Sequence, residues 1–424
     1  MTVLAERTRF PRARYWEAKD QALAPTSYRN WIAYIEQRRD HGSSEYALVT
    51  DTHIIGEIQN GLGPYRILHP LMFSMGAGTT QIRLVLRVDR HLYPSPLFGT
   101  GAHTHRVPYE YCDCAVLYGN KPSQKKRRKR YSKSDVIENV DHGGIVKEIA
   151  ALLSLCLGAV INDGGEIRQF YPKGHPEGHP CSFDIQNIPN RPLRGNRRMI
   201  PYDTAPPKID QYTHLLSAYP LLSPIEAAAL IRASRLYKDA LWHSDAMPEL
   251  SWLMLVQAVE TAAKQCTLNS TEDNTVWNDG WGKNLHEYLL ELKLLQPQID
   301  RIGEIIPRNA GIRRKFVSFI SNRLAPEPPA RPNANFQMSW GWENWNRVLS
   351  NIYDLRSEAL HEGRPFPPEL CSLPDLSDDG IYAEYPPPYA TDTRCVHLHI
   401  FAYVVRLALL KWWEDMWKQE TANN

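Results

Sequence analysis

Residues 353–363 read Tyr-Asp-Leu-Arg-Ser-Glu-Ala-Leu-His-Glu-Gly. Leu349, Ile352, Tyr353, Ala359 and Leu360 recur at steps of three and four, which predicts an amphipathic helix. Arg356 falls on that same apolar stripe. A guanidinium stays charged at any working pH, and burying one without a partner costs on the order of several kcal/mol. The charge therefore implies a partner. His361 lies one turn past Ser357 and two turns past Asp354, on the polar flank beside the stripe. Gly363 fits the residue after the helix, and Pro365 prevents its continuation. An arginine can hold a phosphate and a histidine can move a proton near neutral pH, so their place at one helix end points to phosphoester chemistry.

A second misplaced charge lies upstream. In residues 251–263 Leu253, Val256, Glu260 and Ala263 share one helix face. Glu260 is thus a carboxylate on an apolar stripe, with two expected helices between it and the helix of Arg356. The two charges are expected to meet, fixing the guanidinium while leaving donors for a phosphate. The alternative keeps the pair purely structural, with His361 as a helix-end cation favoured by the macrodipole.

Around these residues the chain divides in two. The 424 residues suffice for two or three domains. Residues 1–220 hold short alternating runs, such as 45–50 and 81–88, between turns. Helices interrupt them at about 27–39 and 143–161, the second ending before an expected turn at Asn162-Asp163-Gly164-Gly165. This half reads as α+β. Residues 182–222, rich in Pro and Arg, read as the boundary. Residues 223–424 read as an all-α bundle. Ser223, Pro224 and Glu226 form a capping box that opens its first helix. Further helices are expected near 248–266, 284–295, 309–323, 341–361 and 394–418, and ten of the 12 tryptophans follow residue 241. Two long Pro-rich connections, 324–339 and 364–393, are either functional covers or solvated excursions.

Composition narrows the class. A net charge of +2 makes any nucleic-acid surface local rather than global. The odd count of seven cysteines, without framework spacing, favours a reducing cytoplasm. Charges in the first residues and the short apolar runs argue against a signal peptide and a membrane span.

The spacing Arg356-Ser357-Glu-Ala-Leu-His361, within Tyr353 to Gly363, together with Leu255 to Glu260 upstream, resembles the HEPN superfamily in its Apea-like branch over about residues 223–424. The resemblance implies a helical bundle that dimerises and cleaves RNA without a metal or other cofactor. Arg356 would then polarise the scissile phosphate, and His361 would act as general base or acid around attack by the ribose 2′-hydroxyl. Ser357 and Tyr353 would support them, with Ser357 standing where many members carry Asn, Asp or His. Members are often toxins or antiviral effectors restrained by a partner. Other members are catalytically silent and serve in dimerisation or nucleotide binding, and that alternative stays open.

Three further groups of residues carry chemistry. Lys125, Lys126, Arg127, Arg128, Lys129 and Arg130 form a basic run suited to RNA phosphates or to a solvated loop. His103 and His105 with Cys112 and Cys114 have strand spacing that could hold zinc. His175, His179 and Cys181 form a second candidate on a Gly- and Pro-rich loop. The tryptophans at 340, 342 and 345 either stack bases or pack the start of the Arg356 helix, and packing is the reading favoured.

Overall fold

The computed structural model describes residues 24–35, 43–50, 52–75, 79–89, 144–171, 174–181, 198–200, 206–269, 280–305, 312–328, 331, 337–373 and 395–422. The elements are α1 (Thr26–Ile35), β1 (Ser43–Thr50), β2 (Tyr65–Met75), β3 (Thr79–Val88), α2 (Gly144–Leu157), β4 (Ile161–Phe170), β5 (His179–Pro180), α3 (Thr213–Ala218), α4 (Pro224–His243), α5 (Pro248–Asn269), α6 (Gly280–Glu291), α7 (Gln296–Ile305), α8 (Ile312–Ser321), α9 (Trp342–His361) and α10 (Leu398–Ala422). Among the described residues every strand precedes residue 181, so the chain is α+β with a helical second half. No described helix is long and apolar enough to cross a membrane.

Two compact units form. The first comprises Met1–Leu193, Tyr202–Lys238 and Trp413–Asn424; the second comprises Arg194–Pro201 and Asp239–Trp412. The division between them falls inside α4 and α10, whereas the sequence suggests a boundary within 182–222.

The first unit is built on an antiparallel sheet of order β2-β3-β1-β4-β5. The alternating runs at 45–50 and 81–88 become the paired strands β1 and β3, with Tyr46 opposite Leu86. The expected turn at Asn162-Asp163-Gly164-Gly165 lies instead inside β4. Tyr46 faces Glu166 while Leu48 faces Asp163, so β4 holds one residue more than β1 over that interval. The glycines make a bulge rather than a reversal: Gly165 sits at φ +95°, and its N–H donates to Asp163 Oδ1 at 2.9 Å.

Helix α2 packs against β4 and α1, and its residues 148–157 are all buried. One of them is Glu148, fully buried. Its carboxylate accepts the N–H groups of Thr26 and Ser27 at 3.0 and 2.6 Å, capping α1 from 121 residues away. Burial pushes this carboxyl up from its ordinary value, against the opposing pull of those bonds and of Arg29. The capping box of α4 forms as expected: Ser223 donates from its N–H and its hydroxyl to Glu226 Oε2 at 3.1 and 2.7 Å.

In the second unit α8 packs on both α5 and α9, and α9 packs on α5. Trp252 of α5 is stacked by Phe366 and Phe401, with ring centroids at 6.0 and 5.1 Å. Phe316 of α8 meets Tyr353 and Phe401. Trp345 is fully buried and meets Trp340 edge to face at 5.1 Å, so these two rings pack the start of α9. The helix expected over 284–295 is α6, which starts earlier and ends at Glu291, just before Lys293, a non-glycine residue at φ 59°; α7 is a further helix not expected from the sequence. The connection after α9 begins by folding back on α5: Phe366 is buried on Trp252, and Trp252 Nε1 donates to the Leu370 carbonyl at 3.1 Å. Residues 374–394 lie outside the described part.

Candidate functional site

Helix α9 places the opening residues. Leu349 and Ile352 are fully buried, and the helix ends at Gly363, whose φ of +67° suits a residue without Cβ. The apolar stripe does not remain buried to that end. Leu360 is 52 % exposed, so the stripe read from the sequence turns outward in the last turn.

Arg356 and Glu260 meet. Arg356 Nη2 donates to Glu260 Oε2 at 3.0 Å. The side chains are 19 % and 16 % exposed, which makes the pair stronger than a surface bridge and less costly than one sealed in a core. The guanidinium also lies over the Tyr353 ring, 5.5 Å from its centroid. Its other nitrogens bond to no described residue. Burial first, and then the Glu260 carboxylate, push the Tyr353 hydroxyl up to about 12, so it stays protonated as a donor. Glu260 Oε1 is buried and short of a well-aligned donor, and the Tyr353 hydroxyl is the nearby group able to supply one. Phe316 also packs on the Tyr353 ring, with centroids 5.4 Å apart.

His361 occupies a different aspect of α9. Five residues along an α-helix amount to about 7.5 Å of rise and about 140° of rotation. One chain therefore holds Arg356 in a half-buried flank and His361 on an exposed one, with Ser357 half-buried on the His361 side. Asp354, one turn before, is bonded by Arg313 Nη2 of α8 at 2.9 Å. Sequence reasoning missed that bridge because both groups are about half exposed, where no partner is demanded.

The metal candidates fare differently. His175, His179 and Cys181 do not assemble a site: His175 Nδ1 accepts the Glu177 N–H at 3.3 Å, His179 lies against Tyr171, and among the described residues no cluster of three His, Cys, Asp or Glu could hold a metal ion. His103, His105, Cys112 and Cys114, and the basic run Lys125–Arg130, lie outside the described residues. No protein-family model matches the chain, and neither does a curated protein or a solved structure.

Proposed function

We propose that this chain is an endoribonuclease whose helical second half, over residues 223–424, is a HEPN-like bundle working as a homodimer. The observation that carries the reading is the Arg356 guanidinium, oriented by Glu260 through one nitrogen, backed by Tyr353 and left with further donors at a partly open edge. That is the arrangement a scissile phosphate requires: a fixed cation with unbonded N–H groups. In the reaction the His361 imidazole takes the ribose 2′-hydroxyl proton as the O2′–P bond forms. The P–O5′ bond breaks, and a proton passes to O5′. The products are a 2′,3′-cyclic phosphate and a 5′-hydroxyl. Arg356 stabilises the charge that builds on the phosphoryl oxygens, and Ser357 can hydrogen-bond to them but cannot titrate near neutral pH. The rotation of about 140° between Arg356 and His361 suits a cleft shared by two copies, each giving its exposed helix end. A regulatory partner, or the first half of the chain, would restrain such an activity in a toxin or antiviral effector of the cytoplasm.

The same rotation favours a second reading, a catalytically silent bundle that dimerises or binds nucleotides, in which Arg356 and Glu260 only join α9 to α5. RNA incubated with the purified chain in EDTA separates the two. The nuclease reading expects fragments ending in 2′,3′-cyclic phosphate and no cleavage of DNA; intact RNA leaves the silent bundle.

A further inference from the structure

The polar face of α9 extends well beyond His361. Asn346, Ser350, Asp354, Ser357 and His361 recur at steps of four, four, three and four. On an α-helix that spacing keeps all five within about 80° of one another. Between this face and α8 runs a shallow, open trough of about 530 Å³. One wall presents Arg313, Arg314 and Ser318 of α8 with Asn322 just past its end, and the α9 wall presents Asn346 and Ser350. No carboxylate is among the described residues that line it.

The charges in and around the trough are arranged for an anion. Helix α8 has no acid in its first turn and three consecutive cations there, Arg313, Arg314 and Lys315. A helix dipole disfavours cations at that end, so they are not explained as support for the helix. Asp354 is the acid on the α9 face between the trough and His361, and Arg313 neutralises it at 2.9 Å. Glu343 stands one turn before Asn346, exposed in the first turn of α9. Ser321 Oγ donates to Asn346 Oδ1 at 2.6 Å, which fixes the amide and leaves its NH₂ group without a described acceptor. Ser350 bonds to no described residue through its hydroxyl.

We propose that this trough is a subsite for the phosphodiester backbone of a single RNA strand leading to His361. The proposal rests on the ribonuclease reading of Arg356 and His361. Its α9 wall lies about 16–22 Å along the helix axis from His361, so it would grip the strand several nucleotides from the cut. Cations with hydroxyl and amide donors hold phosphate and sugar and carry no sequence information. The open shape suits a strand rather than an enclosed small molecule. No aromatic ring lines the trough, so bases have no stacking platform there and recognition is blind to sequence.

The test is binding of a fluorescein-labelled 2′-O-methyl RNA 20-mer to the full chain, read by anisotropy across a salt series. The blocked 2′-hydroxyl separates binding from cleavage. Arg314→Ala is expected to weaken binding about fivefold and to lower the salt slope by about one, and Arg314→Lys to restore the slope. Arg314 is chosen because it lines the trough, and Arg313 is left intact so that Asp354 stays neutralised. Unchanged melting of the Arg314 variants excludes a folding effect, and Asn346→Ala with Ser350→Ala, which removes neutral donors, is expected to weaken binding without changing the slope. If Arg314→Ala binds with wild-type affinity and slope, or the wild-type chain does not bind the 20-mer, the subsite is wrong. Loss of binding in Arg314→Ala beside cleavage indifferent to His361→Ala would keep the subsite and remove the nuclease; the converse pair of results would keep the nuclease and remove the subsite.

Discussion

Arg356 Nη2 lies 3.0 Å from Glu260 Oε2, joining two helices across 96 residues of sequence. Each partner sits on a largely apolar helix face, so neither can be left charged and unpaired without cost. Glu260→Ala is expected to lower stability by roughly 1–3 kcal/mol, between the values for exposed and fully buried pairs. Thermal melts should show a midpoint lowered by several degrees, with Glu260→Gln falling less because it keeps an acceptor. Wild-type melting of Glu260→Ala with lost activity would make the residue one of the site alone.

The bulge of β4 gives a steric prediction. A Cβ on Gly164 would stand 2.5 Å from Val49 Cγ2 and 3.1 Å from the Ala47 carbonyl oxygen. Gly164→Ala should cost about 1–3 kcal/mol through overpacking, read as a lower denaturant midpoint at unchanged slope. A midpoint equal to that of the wild type would mean β1 and β4 do not pair this closely.

Glu148 gives a pH signature. Its folded pKa is raised above the ordinary 4.5, chiefly by burial. A raised carboxyl binds its proton more tightly in the folded state, so its contribution is fully present below the unfolded value and is lost as pH rises through the folded one. The stability of the wild type relative to Glu148→Gln should therefore rise as pH falls toward 4.5 and then level off. A stability difference that is flat from pH 7 to pH 4.5 would contradict the assignment.

Leu360 tests the dimer. It is an apolar side chain 52 % exposed beside His361, and a shared cleft would cover it. Leu360→Lys should shift sedimentation toward the monomer without lowering the protomer's melting temperature, since no buried contact is lost. A wild-type chain that sediments as a monomer at high concentration would exclude the shared cleft.

The residues legible from sequence were those under physical compulsion. Ser223 and Glu226 had the capping-box spacing and form it, and Glu260 and Arg356 were charges on apolar stripes and pair. The Arg313–Asp354 bridge was hidden because half-exposed ions need no partner. Gly164-Gly165 has the composition of a turn, and only the register against β1 shows a bulge. Glu148 capping α1 depends on packing between distant segments, which no local pattern encodes. Leu292, Leu294 and Leu295 extended the apparent apolar period of α6 past its real end, since Leu292 and Leu295 are exposed.

Cleavage of mixed RNA in EDTA by wild-type, Arg356→Ala and His361→Ala proteins measures whether Arg356 and His361 cut RNA. Each substitution is expected to lower the rate by about 10²-fold or more, with His361→Ala melting like the wild type because the residue is exposed. Cleavage at the wild-type rate by both variants would contradict that role.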